Sequence, residues 1–340
     1  MPFIRATFRT TRRSPFGSTT LRAIMLTAAA IVATVGTISP VLAQPAWKPD
    51  RPVTIVVPYV PGGGTDASAR ATAKLLGEQW GQPVLVVNLP GADGLIGTRK
   101  VTEAKPDGYT LLLQTPAIVL TKHAPSFTGT DPLTALVPVT NIAQSPGVIV
   151  ANGKFPATSL PELIAYCKAA TTPCSMGTGE NVAKLFGQQL KAEVLPNLIV
   201  VNYKGTAAII TDMIANNVNF AVTGVASALP HQKAGTLKIV ANQGTHRFAG
   251  APEVRTVVET GLPQYEYTTW FGLFAPKGTP PAVTQAIYAA VREAMGNAEL
   301  QKAITSAGAE PLVNTPDEFA AQVRKEDARF TALAKRYPLN

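Results

Sequence analysis

The run VTIVVPYVPGGGTDASAR (53–70) sets a continuous β-branched segment directly against a proline, three glycines and the opening of a helix. A strand that is apolar at every residue, rather than at alternate ones, is buried on both faces, and such strands belong to parallel sheets covered by helices. The pattern then repeats. A helix is expected from Thr65 to Trp80, with Ala69, Ala73, Leu76 and Trp80 on one face, followed by the strand PVLVVN (83–88). A glycine-rich turn at 91–94 leads into a helix ending near Ala104, and YTLLLQT (109–115) supplies a third strand. Strand, helix and strand at this spacing define an α/β unit with a parallel sheet.

A proline-punctuated stretch from Pro116 to Pro138 interrupts the rhythm, and VPVTNIAQSPGVIVA (137–151) reads as one long extended segment. Helices are then expected at 159–170, 181–192, 206–215 and 225–234, alternating with strands at 174–177, 198–203, 218–223 and 237–242. This is a second doubly wound unit. TTWFGLFAP (268–276) is extended again, and the tail is helical at 280–296, 299–308 and 315–337, where Thr315 with Asp317 and Glu318 makes a capped start. Two αβ units joined by two extended segments form a clamshell that closes on a ligand. The expected division is 44–145 plus 270–340 for one lobe and 146–269 for the other, with hinge strands near 145 and 270.

Residues 1–43 stand outside that fold. Arg5, Arg9, Arg12, Arg13 and Arg22 precede or border the apolar run AIMLTAAAIVATVGTI (23–38), and Val41 and Ala43 stand at the small-residue positions of a signal-peptidase site. The run is shorter than the ~20 residues that span a bilayer comfortably. A cleaved leader, with the cut after Ala43, is the expectation, and an uncleaved anchor the alternative. Thr11-Arg12-Arg13 resembles a twin-arginine signal, but Pro15 occupies a position usually apolar, which leaves Sec and Tat export both open. Removing the leader takes five of 30 basic residues and none of 21 acidic ones, so the net charge falls from +9 to about +4. The remaining Lys and Arg are scattered, without the basic stripe that nucleic acid binding requires. Of the 340 residues, 297 remain, enough for two domains. Cys167 and Cys174 are seven residues apart, and in an oxidising compartment a disulfide between them competes with two free buried thiols.

The glycine-rich turns carry the chemistry. In PYVPGGGTDASAR (58–70) the backbone can approach a ligand at Gly62, Gly63 and Gly64, and the helix that follows turns its free N–H groups and partial positive charge toward the same point. NLPGADGLIG (88–97) repeats the device with Gly91 and Gly94, so two helix N-termini converge at the carboxyl edge of one sheet. CSMGTGEN (174–181) and NYKGTAA (202–208) add similar turns in the second unit. None is a P-loop or a dinucleotide fingerprint. Asp66 reads as a first-turn acid or N-cap, and alternatively as an acceptor for a ligand hydroxyl, ammonium or water. Lys204 reads as a carboxylate counter-ion or as a solvated lysine. Tyr203 points into the cleft or packs against its own lobe. His123, His231 and His246 are isolated, with no GxSxG elbow and no paired-histidine metal motif. The expected activity is binding, without catalysis, cofactor or metal.

The segments RPVTIVVPYVPGGGTDASAR, GQPVLVVNLPGADGLIG, KPDGYTLLL, VPVTNIAQSPGVIVAN, VNYKGTAAIITDMI, SALPHQKAGTLK, GLPQYEYTTWFGLFAPKGTPPAV and GAEPLVNTPDEFAAQVRKE carry a resemblance. In their order and spacing, from about Trp47 to Tyr337, the chain resembles the solute-binding receptors of tripartite tricarboxylate transporters, the Bug-type extracytoplasmic receptors. The resemblance implies a two-lobed, type II periplasmic binding fold that holds a small carboxylate, partly through ordered water. It implies that Tyr59, Pro61, Gly62, Gly63, Gly64, Thr65, Asp66, Gly91, Ala92, Asp93 and Gly94, with Thr115 beside them, hold the shared carboxylate. Ser145, Gly177, Thr178, Gly179, Tyr203, Thr223 and Trp270 would shape the variable end, with Lys204 beside them. Its implied partners are the ligand and integral-membrane permease subunits, with the receptor itself a monomer in the periplasm. A co-sensor for a membrane signalling protein and an exported α/β enzyme are the competing functions. Leu89, where the family often has a basic residue, and Asp93, in place of a small residue, depart from the family pattern in the second turn, while the stretch GENVAKLF and Asn219 in place of Asp depart on the substrate side, where Thr223 takes a position that is often polar or acidic.

The mass of the exported protein tests the leader: it corresponds to a chain beginning at Gln44, whereas a mass retaining the first 43 residues shows an anchor.

Overall fold

The computed structural model describes residues 47–124, 127, 129, 131–203 and 205–339, with Asp93 described in its backbone alone. The expected leader and its cleavage site, and Lys204, lie outside the described residues. The first strand, β1 (Val53–Val57), leads through the glycine turn into α1 (Gly64–Trp80), which ends at Gly81 in the left-handed conformation with its N–H bonded to Gly77 O. Then come β2 (Val84–Asn88), α2 (Leu95–Thr102), β3 (Thr110–Gln114) and the short α3 (Ala117–Leu120). The long strand β4 (Leu136–Asn152) opens a second series. It continues as α4 (Leu160–Ala169), β5 (Ser175–Thr178), α5 (Asn181–Glu193), β6 (Ile199–Asn202), α6 (Thr206–Ile214), β7 (Phe220–Gly224), α7 (Val225–Lys233) and β8 (Leu237–Asn242). The chain returns along β9 (Thr268–Pro276) and finishes with α8 (Pro281–Ala294), α9 (Ala298–Ser306), β10 (Glu310–Pro311) and α10 (Pro316–Arg336). Among the described residues no helix is long and apolar enough to cross a membrane.

β1 lies between β2 and β3, all parallel, and is covered as a continuous apolar strand should be, whereas β2 is an edge strand whose Leu85 and Val87 are exposed. The sheet is mixed rather than wholly parallel, because β9 joins β3 antiparallel and β4 joins β9 antiparallel. In the second series β5 pairs parallel with both β6 and β7, while β7 and β8 run antiparallel to β4 on its two sides. Strand β4 therefore belongs to both sheets. Its residues 136–146 pair with β9, and 147–152 pair with β7 and β8.

That register places the two sheets' working edges. β3 ends at Gln114, opposite Gly272, which in turn pairs with Asn141 of β4. β7 ends at Gly224, opposite Gly147 of β4. Since β4 runs with β3 and against β7, the carboxyl edges of both sheets face each other across residues 141–147. At the usual rise of a strand this separation is about 20 Å. The fold is a two-lobed clamshell of the periplasmic binding type, two α/β halves sharing hinge strands.

Each half has its own apolar core. Ala69, Ala73, Leu76 and Trp80 of α1 are buried against β1, β3 and the helices α8 and α9. Leu160, Leu163, Met176, Phe186, Leu190 and Phe220 anchor the other half. Helix α10 starts on a capping box between Thr315 and Glu318 and lays Phe319 across Gly272, where a Cβ would stand 2.2 Å from the ring. Only glycine fits at that point of the hinge strand. Two small features escape a reading by periodicity: α3 and β10 are shorter than the window in which a period can be recognised.

Cys167, near the end of α4, and Cys174, before β5, are joined in a disulfide with Cα atoms 5.6 Å apart. The bridge closes a short loop, whose entropy in the unfolded chain is worth about 2 kcal/mol. Replacing both cysteines by serine is expected to lower unfolding free energy in urea by about that amount. An unchanged denaturation midpoint, with or without reductant, would contradict this.

Candidate functional site

Besides the single-turn α3, five helices start on the facing carboxyl edges: α1 and α2 on the first sheet, α5, α6 and α7 on the second. The first turn of any helix has N–H groups without partners inside the helix. Gly63, Gly94, Glu180, Gly205 and Gly224 occupy the N-cap positions of these five, and no side chain caps any of them. Helices that start elsewhere are treated differently. Ser159, Asn297 and Thr315 cap α4, α9 and α10 with their own oxygens, and α8 begins with proline. Side-chain caps are therefore missing around the cleft, where aligned helix dipoles favour a negative charge, although at the start of α2 the N–H groups of Gly94 and Leu95 are already given to Gly91 O and Ala92 O. A Cβ added at Gly62, Gly63, Gly205 or Gly224 would meet nothing within 4 Å, so the space before these turns is free.

Asp66 holds the first turn in shape. It is 4% exposed, and its carboxylate accepts hydrogen bonds from Gly62 N (3.0 Å), Arg70 Nε (3.0 Å) and Asn88 Nδ2 (3.0 Å). Asn88 also donates to Tyr59 O (3.1 Å) and accepts from Arg70 Nη2 (2.9 Å). Burial pushes the Asp66 carboxyl up, but the bonds from Arg70, Gly62 and Asn88, with the Arg70 charge, outweigh it and hold its pKa below the ordinary value. Asp66 is a first-turn acid whose carboxylate is fully engaged by the protein, which favours the first of its two sequence readings. Asn88 and Arg70 were missed by motif reasoning. The available signal was a polar residue ending an apolar strand at the carboxyl edge, since Asn88 pairs with Val57 at the end of β1.

Tyr59 follows β1 and is half-buried, its hydroxyl bonded to Gln114 Oε1 and lying 2.8 Å from Thr115 Oγ1. Pro61, Gly62 and Gly63 are exposed, while Gly64 and Thr65 are half-covered. In the second turn Gly91 (φ 128°), Ala92 (φ 47°) and Gly94 (φ 89°) all have positive φ. Gly91 needs glycine for its positive φ, while the exposed Ile96 side chain, 2.5 Å from where a Cβ would stand, could move aside. The side chain of Asp93 lies outside the described residues.

On the second sheet a Cβ at Gly179 would be 3.5 Å from Gly205, so those two turns lie side by side. Gly177 sits beneath them, its Cβ position 2.9 Å from Ile209. Several polar residues expected at the variable end are engaged within the protein. Thr178 Oγ1 donates to Asn202 Oδ1 (2.9 Å), Ser145 Oγ to Gly308 O (2.8 Å), and Thr223 Oγ1 contacts Gly224 O (3.4 Å). Tyr203 packs against its own lobe beside Ile209 and Met213, its hydroxyl donating to Asp212 (2.7 Å). Burial first, then Asp212, pushes its pKa up to about 12. Trp270 is 1% exposed, stacked edge-on against Phe319, with its indole N–H given to Glu326 (2.7 Å). Expected beside the pocket, it is a core residue joining β9 to α10. Asn219 takes Ser175 N (2.8 Å) and serves the sheet.

Among the described residues no catalytic set converges here. His123 contacts Thr331, His231 contacts Thr236 and His246 contacts Glu310, each in a different place. Among the described residues no three His, Cys, Asp or Glu side chains gather as a metal site. The arrangement can bind an anion by backbone donors.

Comparison with known proteins agrees with that chemistry. The family model described as tripartite tricarboxylate transporter family receptor matches residues 68–339. The periplasmic binding protein BugD is 29% identical, with a TM-score of 0.74 over 86% of this chain and 99% of that one. An R. palustris protein solved with adipate is 30% identical, TM-score 0.75, over 84% of this chain and 97% of that one. MatC from Rhodopseudomonas palustris, with bound malate, is 28% identical, TM-score 0.70, over 84% of this chain and 99% of that one.

A carboxyl with a depressed pKa in the folded state adds stability above its unfolded pKa, near 3.9, and that contribution is lost as pH falls through the folded value. Asp66→Asn is expected to flatten the loss of stability below about pH 4 and to lower stability at pH 7 by about 1 kcal/mol. Identical acid unfolding curves for the two proteins would contradict the role given to Asp66.

Proposed function

The chain belongs to the tripartite tricarboxylate transporter receptor family, and from that premise we propose that it is an exported periplasmic receptor that captures one small carboxylate in its cleft. The protein is a solute-binding receptor and not an enzyme. The observation that carries the carboxylate reading is the set of five helix N-termini without side-chain caps on facing sheet edges, in a chain that caps α4, α9 and α10 with side chains. We assign the carboxylate to the turns 59–66 and 91–94, where open glycines let backbone N–H groups reach it. The turns at 177–179, 203–205 and 223–224, contributed by the other lobe, close over the remainder of the ligand. Thr115, Ser145, Thr178, Thr223 and Trp270 act behind these turns, as supports for their shape.

The lobes are proposed to divide at residues near 145 and 270, with β4 and β9 flexing between them. The released receptor acts as a monomer and hands its ligand to integral-membrane permease subunits. Malate and adipate, found in relatives of the same fold, define the first ligands to try: small aliphatic carboxylates with a second polar end.

Native mass spectrometry of the mature protein, followed by a thermal-shift screen of mono-, di- and aromatic carboxylates, tests the proposal. At one hundred times its dissociation constant a ligand adds ~2.7 kcal/mol of stability, an upward shift of several degrees. A carboxylate that raises the midpoint while its amide does not supports the reading. Absence of any shift across the panel, with no ligand retained on purification, would contradict it.

A further inference from the structure

Gln114 is the last residue of β3 and is 1% exposed, deep beneath both turns of the first lobe. Its carbonyl oxygen accepts the hydroxyl of Tyr59, in the turn after β1, and the backbone N–H of Thr115 (2.7 Å). Its amide nitrogen donates to Thr98 Oγ1 (3.1 Å), and Thr98 in turn donates to Gly94 O (2.7 Å), in the turn after β2. The same nitrogen stands 3.1 Å from where a Cβ of Gly94 would be, so the second turn rests directly on the amide. One buried side chain is thus bonded, oxygen on one side and nitrogen on the other, to the two turns that would share an anion.

We propose that Gln114 is a positioning residue that sets the spacing of the two anion-holding turns, a role resting on the carboxylate reading given above. The chemistry favours an amide. A carboxylate offers no donor to Thr98 when ionised, and would put a negative charge beneath an anion site. A leucine offers neither donor nor acceptor, leaving the buried Thr98 hydroxyl without the donor that now bonds to it. Glutamine supplies both polar ends, uncharged, in a fixed plane. Its two arms reach segments far apart in sequence, so loosening either arm frees the amide to turn and weakens the other. This coupling is what separates a brace from a residue that merely fills the core.

Backbone hydrogen exchange on the full mature chain tests the proposal without any ligand. Gln114→Leu and Thr98→Val are each expected to raise exchange at least tenfold at 58–66 and at 91–98 together, with the strands beneath unchanged. The double variant should match Gln114→Leu alone, because both changes cut the same connection. Titration with malate and adipate then reads affinity, expected to fall at least tenfold in Gln114→Leu. If Gln114→Leu does not fold, Thr98→Val carries the test, since the brace requires its effect to reach 58–66. Exchange changes confined to 91–98 in Thr98→Val, or fully additive effects in the double variant, overturn the proposal. A wild-type chain that binds no carboxylate of the panel is a failure of the carboxylate reading instead, and the exchange pattern still decides the brace.

Discussion

A single strand, β4, is hydrogen-bonded into both sheets, and the function depends on that fact. Because it runs with β3 and against β7, it turns the two carboxyl edges toward each other. Were either pairing reversed, one set of helix N-termini would face solvent on the far side of its sheet. Pairing also limits how the lobes can move. The ladders at 136–146 and 147–152 are short and carry register shifts near Pro138, Asn141 and Ile149, places where a strand bends more readily than a regular ladder. The fixed support on one side of the hinge is α10, which presses Phe319 on Gly272 and takes the Trp270 N–H at Glu326.

The proposed anion site is made by what the protein withholds. Side-chain caps stabilise helices by roughly 1 kcal/mol each, and the chain uses them at Ser159, Asn297 and Thr315. Around the cleft it does without them. The donors left open are then available to a ligand, which can contribute the missing stabilisation only while bound. Asp66 keeps this from becoming disorder in the empty receptor, since it takes the N–H of Gly62 and ties the turn to Arg70 and Asn88. The turn is held from below while its outer face stays open.

Much of the architecture was legible in the amino-acid order. VTIVV is apolar at every residue and is a covered central strand, whereas the equally apolar VLVV is an edge strand with Leu85 and Val87 exposed, and the long run at 137–151 and the run at 268–276 stood out as extended segments too long for a simple αβ repeat. The glycine turns were legible for the same reason, as breaks placed between a strand and a helix. What was not legible was the destination of individual polar side chains. Tyr203 and Trp270 sit at strand ends or on a hinge strand, positions compatible with facing the cleft, and only the partners Asp212 and Glu326, nine and 56 residues away, show that they face inward. Asn88 and Gln114 carry no motif. Their importance arises from three strands ending side by side, a tertiary fact that no local window contains. β9 and β4 joining antiparallel was hidden for the same reason, because strand direction in a sheet is decided by connections rather than by composition.

The central claim is that backbone N–H groups of the uncapped turns bind the anion. Nitrogen-15 NMR of the mature protein, titrated with whichever carboxylate stabilises it most and then with the corresponding neutral amide, tests that claim most directly. Saturable shifts of the amide resonances of Gly63–Thr65 and Gly91–Asp93 are expected with the carboxylate, with little response to the amide. Shifts of equal size with both compounds, or binding that leaves these resonances in place, would contradict it.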